Sequence, residues 1–218
     1  MPWLRDATHV LVPDADRVLW LVRTDAPGVR TSPVETTAPW SAGRLTLTAA
    51  EGERLGSDGA YEDTLAAART AFAGLQAGVC AGSLARAVEY TSAREQFGRP
   101  LSTNQGVMLR AADAYMDTEA IRVTTYEAAW RIDQGLPAHE HALTAAWWAS
   151  EAGKRVVHAG QHLHGGMGAD LDHPVHRHFL WGRQLDAYLG CGSELLAELG
   201  ASIAASTASA LRAEGEQA

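Results

Sequence analysis

Five of the nine histidines lie within the nineteen residues of the segment QHLHGGMGADLDHPVHRHF, residues 161–179. His158 and His162 are four residues apart, so on a helix they share one face and could bind a metal ion together with His173 or His176. The chain has no HExxH motif, and no cysteine or carboxylate lies one helical turn from the pair. The pattern therefore favours packing or helix capping over ligation, and we predict no metal site.

A second group that could do chemistry lies in the segment YTSAREQFGRPLSTNQ, residues 90–105. Arg94 and Arg99 flank a predicted corner between two helices, where they could hold a phosphate beside the N-terminus of the second helix. A well-capped corner with solvated arginines has the same appearance. The residues by themselves leave both interpretations open.

These residues must be positioned by helices, because from about residue 61 the chain is rich in Ala, Leu, Glu and Arg with helical spacing. Gly98 can end the first helix in a left-handed conformation, and Pro100 prevents its continuation. The predicted helices span about 62–96, 104–134, 138–164 and 175–213, the last kinked near the glycines of 189–192. Four long helices with short links predict an antiparallel four-helix bundle.

Residues 1–60 have a different pattern, with short Val, Leu and Trp runs separated by PDAD and APG. Leu45 and Leu47 alternate with polar neighbours, which is typical of a half-buried strand. A few such strands make a small sheet that needs a covering layer. We therefore predict a mainly α chain, with a partial β-domain over 1–60 and a bundle over 61–213.

Composition and charge limit the possible partners. The chain has 218 residues, 46% of them hydrophobic, and a formal net charge of −8, which argues against nucleic acid or an anionic membrane as partner. Cys80 and Cys191 are far apart, so we expect no disulfide framework. We see neither a signal peptide nor a window long enough to cross a bilayer, and we predict a cytoplasmic protein.

Two motifs resemble the C-terminal helical domain of the flavin-dependent acyl-CoA dehydrogenases. AGSLARAVEYTSAREQFGRPLSTNQ is similar to the family pattern in which an R-x-x-F-G-x-P corner is followed by Gln, and HLHGGMG is similar to Q-x-x-G-G-x-G. The strand segment LVRTDAPGV also resembles the second half of the family's middle β-domain. The resemblance covers about residues 8–205, and the two motifs together are specific where either alone would be weak.

The resemblance implies a flavin site shared between subunits. It places Arg94 and Phe97, with Gln96 between them, against the ADP half of an FAD that a neighbouring subunit mainly binds. It places Gly165 and Gly166 at the adenosine end of the same cofactor. Both motifs are expected at helix ends, where an arginine and backbone N–H groups can orient a pyrophosphate.

Two further residues belong to this implied site. Gln105 is the first residue of the predicted helix after the corner and is expected among the residues around the same cofactor. The family Gln before the Gly-Gly turn aligns with His162, which leaves Gln161 one place early. A neutral imidazole can still hydrogen-bond the adenosine.

The catalytic base of the family has no counterpart at either expected position. Dehydrogenation needs a carboxylate that removes the α-proton while the flavin takes a hydride from the β-carbon. The usual Glu aligns with about Gly190, flanked by Leu189 and Cys191. The alternative position, twenty-six residues before the motif arginine, is Ala68, which is followed by Arg69.

Glu62, Asp63 and Glu194 lie near these positions, but their register favours solvated helix-end charges. The resemblance also implies that the N-terminal helical domain and the strands lining the flavin ring and acyl-CoA cleft are lacking. A chain without them could not enclose a flavin and a thioester alone. Its histidine-rich segment is similar to the divergent subunits of actinobacterial hetero-oligomeric acyl-CoA dehydrogenases, several of which act in steroid side-chain breakdown.

This resemblance implies a non-catalytic subunit, paired as α2β2 with a complete subunit that supplies the base and most of the acyl-CoA site. A bulky polycyclic acyl group would be the substrate. Two alternatives stay open: an assembly or scaffold protein without flavin, and a self-sufficient homo-oligomeric dehydrogenase with an unusual base. The tryptophans favour none of these, because bundle cores and interfaces both use aromatic residues: Trp130, Trp147, Trp148 and Trp181.

Overall fold

The computed structural model describes residues 1–37, 40–188 and 190–215. The chain divides into two compact units, Met1–Leu65 and Ala66–Ala218. The first unit is built from strands and the second from helices, in agreement with the predicted fold class.

Unit 1 contains two small antiparallel sheets. Its strands are β1 (His9–Pro13), β2 (Leu19–Arg23), β3 (Val29–Pro33), β4 (Gly43–Leu47) and β5 (Glu53–Leu55). One sheet has the order β1-β2-β5, and the other pairs β3 with β4. Leu4, Val10 and Val22 form the buried core, against which Leu45 packs, whereas Leu47 is 37% exposed. The alternation predicted for β4 thus buries only one of its two leucines.

Unit 2 is a helical bundle. Its helices are α1 (Ala60–Ala93, which begins in unit 1), α2 (Gln105–Asp133), α3 (His139–Leu163), α4 (Val175–Leu185) and α5 (Gly192–Gly215). Two short strands, β6 (Glu95–Gln96) and β7 (Arg99–Pro100), form a hairpin between α1 and α2. Single 3-10 turns follow at Leu101–Thr103 and Gly165–Ala169.

The fourth predicted helix, over 175–213, is two helices rather than one kinked helix. Gly190 has a φ of +111°, which lies far from helical values, so the chain leaves the helix after α4 and starts again at α5. The first helix also ends three residues earlier than predicted, because residues 95 and 96 pair with the strand after the turn. The remaining helix bounds agree with the prediction within two residues.

Helix α3 packs against α2, α4 and α5 and carries much of the core. Ile121, Val156 and Cys80 are fully or almost fully buried among alanines. A Cβ at Gly153 would lie 1.9 Å from the side-chain nitrogen of Gln76, so α1 and α3 approach closely only because this residue is glycine. Burial raises the pKa of the Cys80 thiol to about 12, which makes it a poor nucleophile.

Helix α1 is long and apolar enough to cross a membrane by length and composition, which corrects the expectation that no window would be. Its most apolar 18-residue window has a mean hydropathy of 1.2 and is 28% buried. Core helices of soluble proteins pass the same test, so one such helix is weak evidence for a membrane span. The low burial does show that α1 leaves an apolar surface uncovered.

Candidate functional site

The corner between α1 and α2 is a hairpin whose tip is strained. Phe97 and Gly98 form the two-residue turn between β6 and β7, with φ values of +53° and +74°. Two successive positive φ values are the mark of a type I′ turn, and phenylalanine rarely adopts one. The Phe97 side chain is 99% exposed. An apolar ring held in a strained conformation in solvent is a feature that concentrates at binding sites.

The backbone of Arg94 is held on both sides of the hairpin. Its N–H donates to the Tyr90 carbonyl at 2.8 Å, and its carbonyl accepts from the Leu101 N–H at 2.9 Å. Its side chain is exposed and makes no hydrogen bond or ion pair within the described parts of the chain. The hairpin therefore presents a positioned guanidinium with its donors available, close in sequence to the exposed Gln96 and Phe97.

Helix α2 starts after the 3-10 turn Leu101–Thr103 that follows this hairpin. Its N-cap is Asn104, whose side-chain oxygen accepts the Gly106 N–H at 3.0 Å. Gln105 is the first helical residue and is exposed. It therefore lies beside an N-terminus, where the first backbone N–H groups favour an anion.

The Gly-Gly turn at the end of α3 has an open side and a packed side. Gly165 has a φ of +60°, and a Cβ at Gly165 or Gly166 would meet no atom within 4 Å. A Cβ at Gly168 would lie 2.2 Å from the Gln161 carbonyl oxygen. The Gln161 side chain also donates to the Gly168 carbonyl at 3.2 Å, so this glutamine holds the turn while His162 is exposed.

Tyr90 and His164 bring the two motifs to one end of the bundle. Their rings stack with centroids 4.8 Å apart and planes at 21°. Tyr90 is one helical turn before Arg94, and His164 directly precedes Gly165. Buried His164 is also bonded through Nδ1 to the Gly160 carbonyl at 2.7 Å. This stacked pair was not predicted from the sequence, although His164 adjoins the Gly-Gly turn.

His158 and the histidines of residues 161–179 make several different contacts. His158 lies edge-on to Phe179, with ring centroids 4.8 Å apart, and His173 lies 5.0 Å from His164. The His176 ring is bonded to the His173 carbonyl at 2.9 Å. Within 1–37, 40–188 and 190–215, no group of three or more His, Cys, Asp or Glu side chains is placed to hold a metal ion.

His178 and His164 are kept neutral by their surroundings. Arg86 donates from Nε to His178 Nε2 at 3.1 Å, which requires that nitrogen to be unprotonated. Burial first, and then the Arg86 charge, lowers the pKa of His178. Burial is also the main cause that lowers the pKa of His164, and the nearby His173 and Arg86 add to it.

The lowered histidine pKa values predict a loss of stability in mild acid. At pH values well above the ordinary histidine pKa of 6.5, both rings are neutral in the folded and in the unfolded chain. Their titration then does not change the free energy of unfolding. As pH falls below about 6.5 the unfolded chain binds protons that the folded chain resists, and the free energy of unfolding decreases. We expect the melting temperature to drop between pH 7 and 5. His178→Gln, which keeps an acceptor for Arg86, should reduce that drop, and an unchanged pH profile would contradict the assignment.

The two positions of the family base hold no carboxylate, and the acidic groups near Gly190 are already bonded. Glu194 accepts the Cys191 N–H at 3.0 Å, a bond that lowers its pKa and makes it a weaker base. Asp186, which sequence reasoning missed, accepts the Ser150 hydroxyl at 2.6 Å. Leu189 lies outside the described residues.

The other position, Ala68, is partly buried and precedes the buried Arg69. The candidate substitutes Glu62 and Asp63 lie in the first turn of α1, where Glu62 pairs with Arg17 at 3.3 Å and Asp63 is exposed. The cavity lined by Arg69, Asp186 and Gly190 has a volume of about 20 Å³. That is room for one water molecule, whereas small-molecule pockets are on the order of several hundred Å³.

A glutamate at position 190 is expected to destabilise the chain. A Cβ there would lie 3.2 Å from Leu195 Cδ2, and the φ of +111° is unfavourable for any residue with a Cβ. We expect Gly190→Glu to reduce the free energy of unfolding by about 1–3 kcal/mol, and not to give dehydrogenase activity to the isolated chain. Thermal unfolding and an acyl-CoA assay would check both points, with Gly200→Glu as control because its Cβ has open space.

The fold and the two motif corners define a C-terminal domain of the acyl-CoA dehydrogenase type. The family described as "Acyl-CoA dehydrogenase, C-terminal domain" matches residues 59–204, and the chain belongs to this family. Its members are generally FAD-dependent.

Relatives within the family are similar over most of this chain. Acyl-CoA dehydrogenase FadE27 of Mycobacterium tuberculosis is 39% identical, over 91% of this chain and 57% of its own length. The Tcur3481–Tcur3483 steroid ACAD superposes with a TM-score of 0.91 at 45% identity, over 95% of this chain and 58% of that one. The ChsE4–ChsE5 complex of M. tuberculosis superposes with a TM-score of 0.88 at 36% identity, over 93% of this chain and 57% of that one. The chain thus spans a little over half the length of these relatives.

Proposed function

We propose that this chain is a subunit of a flavin-dependent acyl-CoA dehydrogenase complex and contributes contacts to an FAD that it shares with a complete partner subunit. The observation that supports this proposal most is the hairpin tip. There a strained and fully exposed Phe97 lies three residues after Arg94, whose backbone is positioned and whose side chain is unpaired. Neither feature stabilises the chain itself. Both are explained if a ligand with an anionic and an aromatic part covers them.

The residues at this end of the bundle fit the ADP half of FAD. The Arg94 fork and the α2 N-terminus match a pyrophosphate, and Phe97 matches a flat ring. The open side of the Gly-Gly turn leaves room for a ligand to approach the backbone. The proposed contacts are Arg94, Gln96, Phe97, Gln105, His162, Gly165 and Gly166.

The catalytic groups are proposed to belong to the partner. When bound, the flavin accepts the hydride from the substrate β-carbon, and a carboxylate must take the α-proton. Gly190 and Ala68 supply none, and the 20 Å³ cavity beside Gly190 has no room for an acyl thioester. The role of this chain is therefore to hold and orient the adenosine end of the cofactor.

The relatives support a proposal for the partner and the substrate. Both similar structures carry the names of two proteins, and one of them is a steroid ACAD. We propose an α2β2 complex with a complete acyl-CoA dehydrogenase-like subunit, acting in the cytoplasm on a bulky polycyclic acyl-CoA. The partner would bind most of the acyl-CoA.

Co-expression with an acyl-CoA dehydrogenase-like chain encoded beside it tests this proposal. A yellow complex that oxidises acyl-CoA only when both chains are present is expected. A colourless complex whose partner is fully active alone would contradict it and favour the scaffold alternative. Turnover by this chain alone would favour a self-sufficient dehydrogenase.

A further inference from the structure

A stacked pair of side chains connects the two corners of the proposed site. The Tyr90 ring on α1 stacks on the His164 ring at the end of α3, with centroids 4.8 Å apart. Tyr90 is one helical turn before Arg94, and His164 directly precedes Gly165. A movement of the Gly-Gly turn relative to the hairpin therefore has to disturb this stack, because both rings lie at the helix ends from which the two corners start.

The Gly-Gly turn depends on side chains beside it for its position. A Cβ at Gly165 or Gly166 would meet no atom within 4 Å, so the turn is open on this side. At the far end of the turn, Gln161 donates to the Gly168 carbonyl at 3.2 Å. At its beginning lies His164, which is 3% exposed. The buried ring of His164 thus fixes the start of the turn, and Gln161 fixes its end.

The contacts of His164 require a neutral ring. Its Nδ1 lies 2.7 Å from the Gly160 carbonyl oxygen, which can only accept a hydrogen bond, so Nδ1 carries the proton. In a neutral imidazole the other nitrogen, Nε2, then carries none. A second proton on Nε2 would place a positive charge on a buried ring, which costs free energy unless an acceptor or a counter-charge compensates it.

The neighbours of His164 on three elements offer no counter-charge. On α1, Arg86 lies one helical turn before Tyr90 and carries a permanent positive charge. In the segment before α4, the His173 ring centroid lies 5.0 Å from that of His164. On α4, His178 accepts the Arg86 Nε–H at 3.1 Å. These groups are neutral or positive, so they oppose a charge on His164.

The carboxylates closest in sequence are placed elsewhere. Asp170 and Asp172, between the turn and α4, are exposed, and Asp170 accepts the Asp172 N–H at 3.0 Å. Glu89, next to Tyr90, lines the groove between α1 and α2. A proton added to His164 would therefore be held only weakly while the ring stays buried.

We infer that Tyr90 and His164 are positioning residues that hold the hairpin and the Gly-Gly turn at the separation one cofactor needs, and that charging of His164 in mild acid disrupts this arrangement and weakens cofactor binding. The inference rests on the proposed flavin role and adds the regulation of that site by pH. A charged ring turns from its buried position toward water. The turn then loses the contact that fixes its start.

The sign of the pH effect follows from the form of His164 that can bind. Burial first, and then His173 and Arg86, lowers the pKa of His164 against the opposing effect of the Gly160 bond. At pH values well above 6.5 the ring is neutral, and binding does not depend on it. Below its lowered pKa the neutral fraction falls about tenfold per pH unit, and the apparent affinity falls by up to the same factor.

Flavin retention by the complex with the partner subunit tests the charge on His164. The wild-type complex is expected to keep its flavin absorbance through gel filtration at pH 8 and to lose it progressively below about pH 6.5. His164→Gln can still donate to the Gly160 carbonyl but does not titrate, so it should keep flavin at pH 8 and release much less in acid. The control is His141→Gln in the first turn of α3, which should release flavin as the wild type does.

Two substitutions of Tyr90 test the stack separately from the charge. Tyr90→Phe keeps a ring over His164 and should retain flavin at pH 8 as the wild type does. Tyr90→Leu removes the ring and should weaken flavin binding by about 2- to 10-fold, the range expected for one aromatic pair. Circular dichroism checks that both variants are folded.

Amide hydrogen exchange of the purified full chain gives a readout without flavin. After correction for the intrinsic rates, peptides that cover residues 161–168 should exchange faster at pH 5.5 than at pH 8 in the wild type. In His164→Gln the two rates should be equal. This measurement reports the turn itself, so it does not depend on the partner chain.

Two results would overturn the inference while the flavin proposal stands. One is a pH profile of flavin retention that the wild type and His164→Gln share, which would include a flat profile caused by stabilisation of the charged ring on the Tyr90 face. The other is wild-type flavin content in a folded Tyr90→Leu complex. A wild-type complex that is colourless at pH 8 contradicts the flavin proposal and this inference together, so flavin content at pH 8 distinguishes the two failures.

Discussion

Replacing Arg94 with alanine is expected to remove the bound FAD, and with it the yellow colour, from the complex that this chain forms with its partner. The guanidinium would be a positioned cation at the hairpin, and its loss removes charge-assisted hydrogen bonds worth about 1.5–3 kcal/mol. FAD should then bind roughly 10- to 100-fold more weakly. The flavin absorbance per complex after gel filtration measures this directly, at equal yields of the two chains.

The control is Arg30→Ala, which removes an exposed arginine from β3, away from the hairpin in sequence. It should leave the flavin content unchanged. Equal flavin retention by the Arg94→Ala and wild-type complexes would reject the assignment of the hairpin to the cofactor.

Phe97→Gly separates binding from stability at the same hairpin. Glycine accepts the positive φ without strain, so the chain should gain about 1 kcal/mol of stability. Flavin retention should fall, because the exposed ring is lost. A residue kept only for the fold would show the opposite result, and thermal unfolding together with flavin absorbance distinguishes the two cases.

Removing Glu198 is expected to cause a large loss of stability within the bundle. Arg69 on α1 donates two hydrogen bonds to Glu198 on α5, at 2.8 and 2.7 Å. The Arg69 side chain is 7% exposed and that of Glu198 is 41% exposed. Glu198→Ala leaves the buried guanidinium without its counter-charge. Breaking a buried pair costs about 3–5 kcal/mol, and because water reaches Glu198 we expect about 2 kcal/mol.

Arg69→Met is the matched variant for this pair. It removes the buried charge together with the Nε atom, which has no hydrogen-bond partner in the described part of the chain, while keeping an apolar stem. The remaining Glu198 carboxylate can turn toward solvent, so the loss should be about 1 kcal/mol or less. Chemical denaturation should rank the two variants in this order. The reverse order would show that water already compensates the guanidinium.

Helix periodicity was the most reliable guide to the fold. Helices α2 and α3 begin and end within one residue of the predicted bounds. Asn104 marks the start of α2, and the Gly135–Pro137 segment separates α2 from α3. The break between α4 and α5 was predicted only as a kink. Two glycines weaken a helix wherever they occur, but whether the chain bends or stops depends on the contacts on either side.

In the candidate site, too, some features could be predicted from the sequence and others could not. The two turns could be predicted from the chain, because Gly-Gly and Gly-x-Pro are local requirements of turns, whereas the cofactor roles of their residues rest on the family resemblance. The I′ hairpin with its strained Phe97 could not, since a positive φ at phenylalanine is unfavourable locally and is maintained by the strand pair around it. The Tyr90–His164 stack joins residues that are 74 positions apart, and no local pattern relates them.

By itself the sequence determined the helical class and the two motif corners, because these depend on residue type and short-range spacing. The positions of the missing base were found only through the family resemblance. Only the tertiary structure decided which side of each helix is covered. It showed Gln161 bonded inside the turn, His162 exposed outside it, and His164 stacked on Tyr90. The physical reason is that burial and ring stacking are set by residues from distant parts of the chain, which pack together only once the bundle has formed.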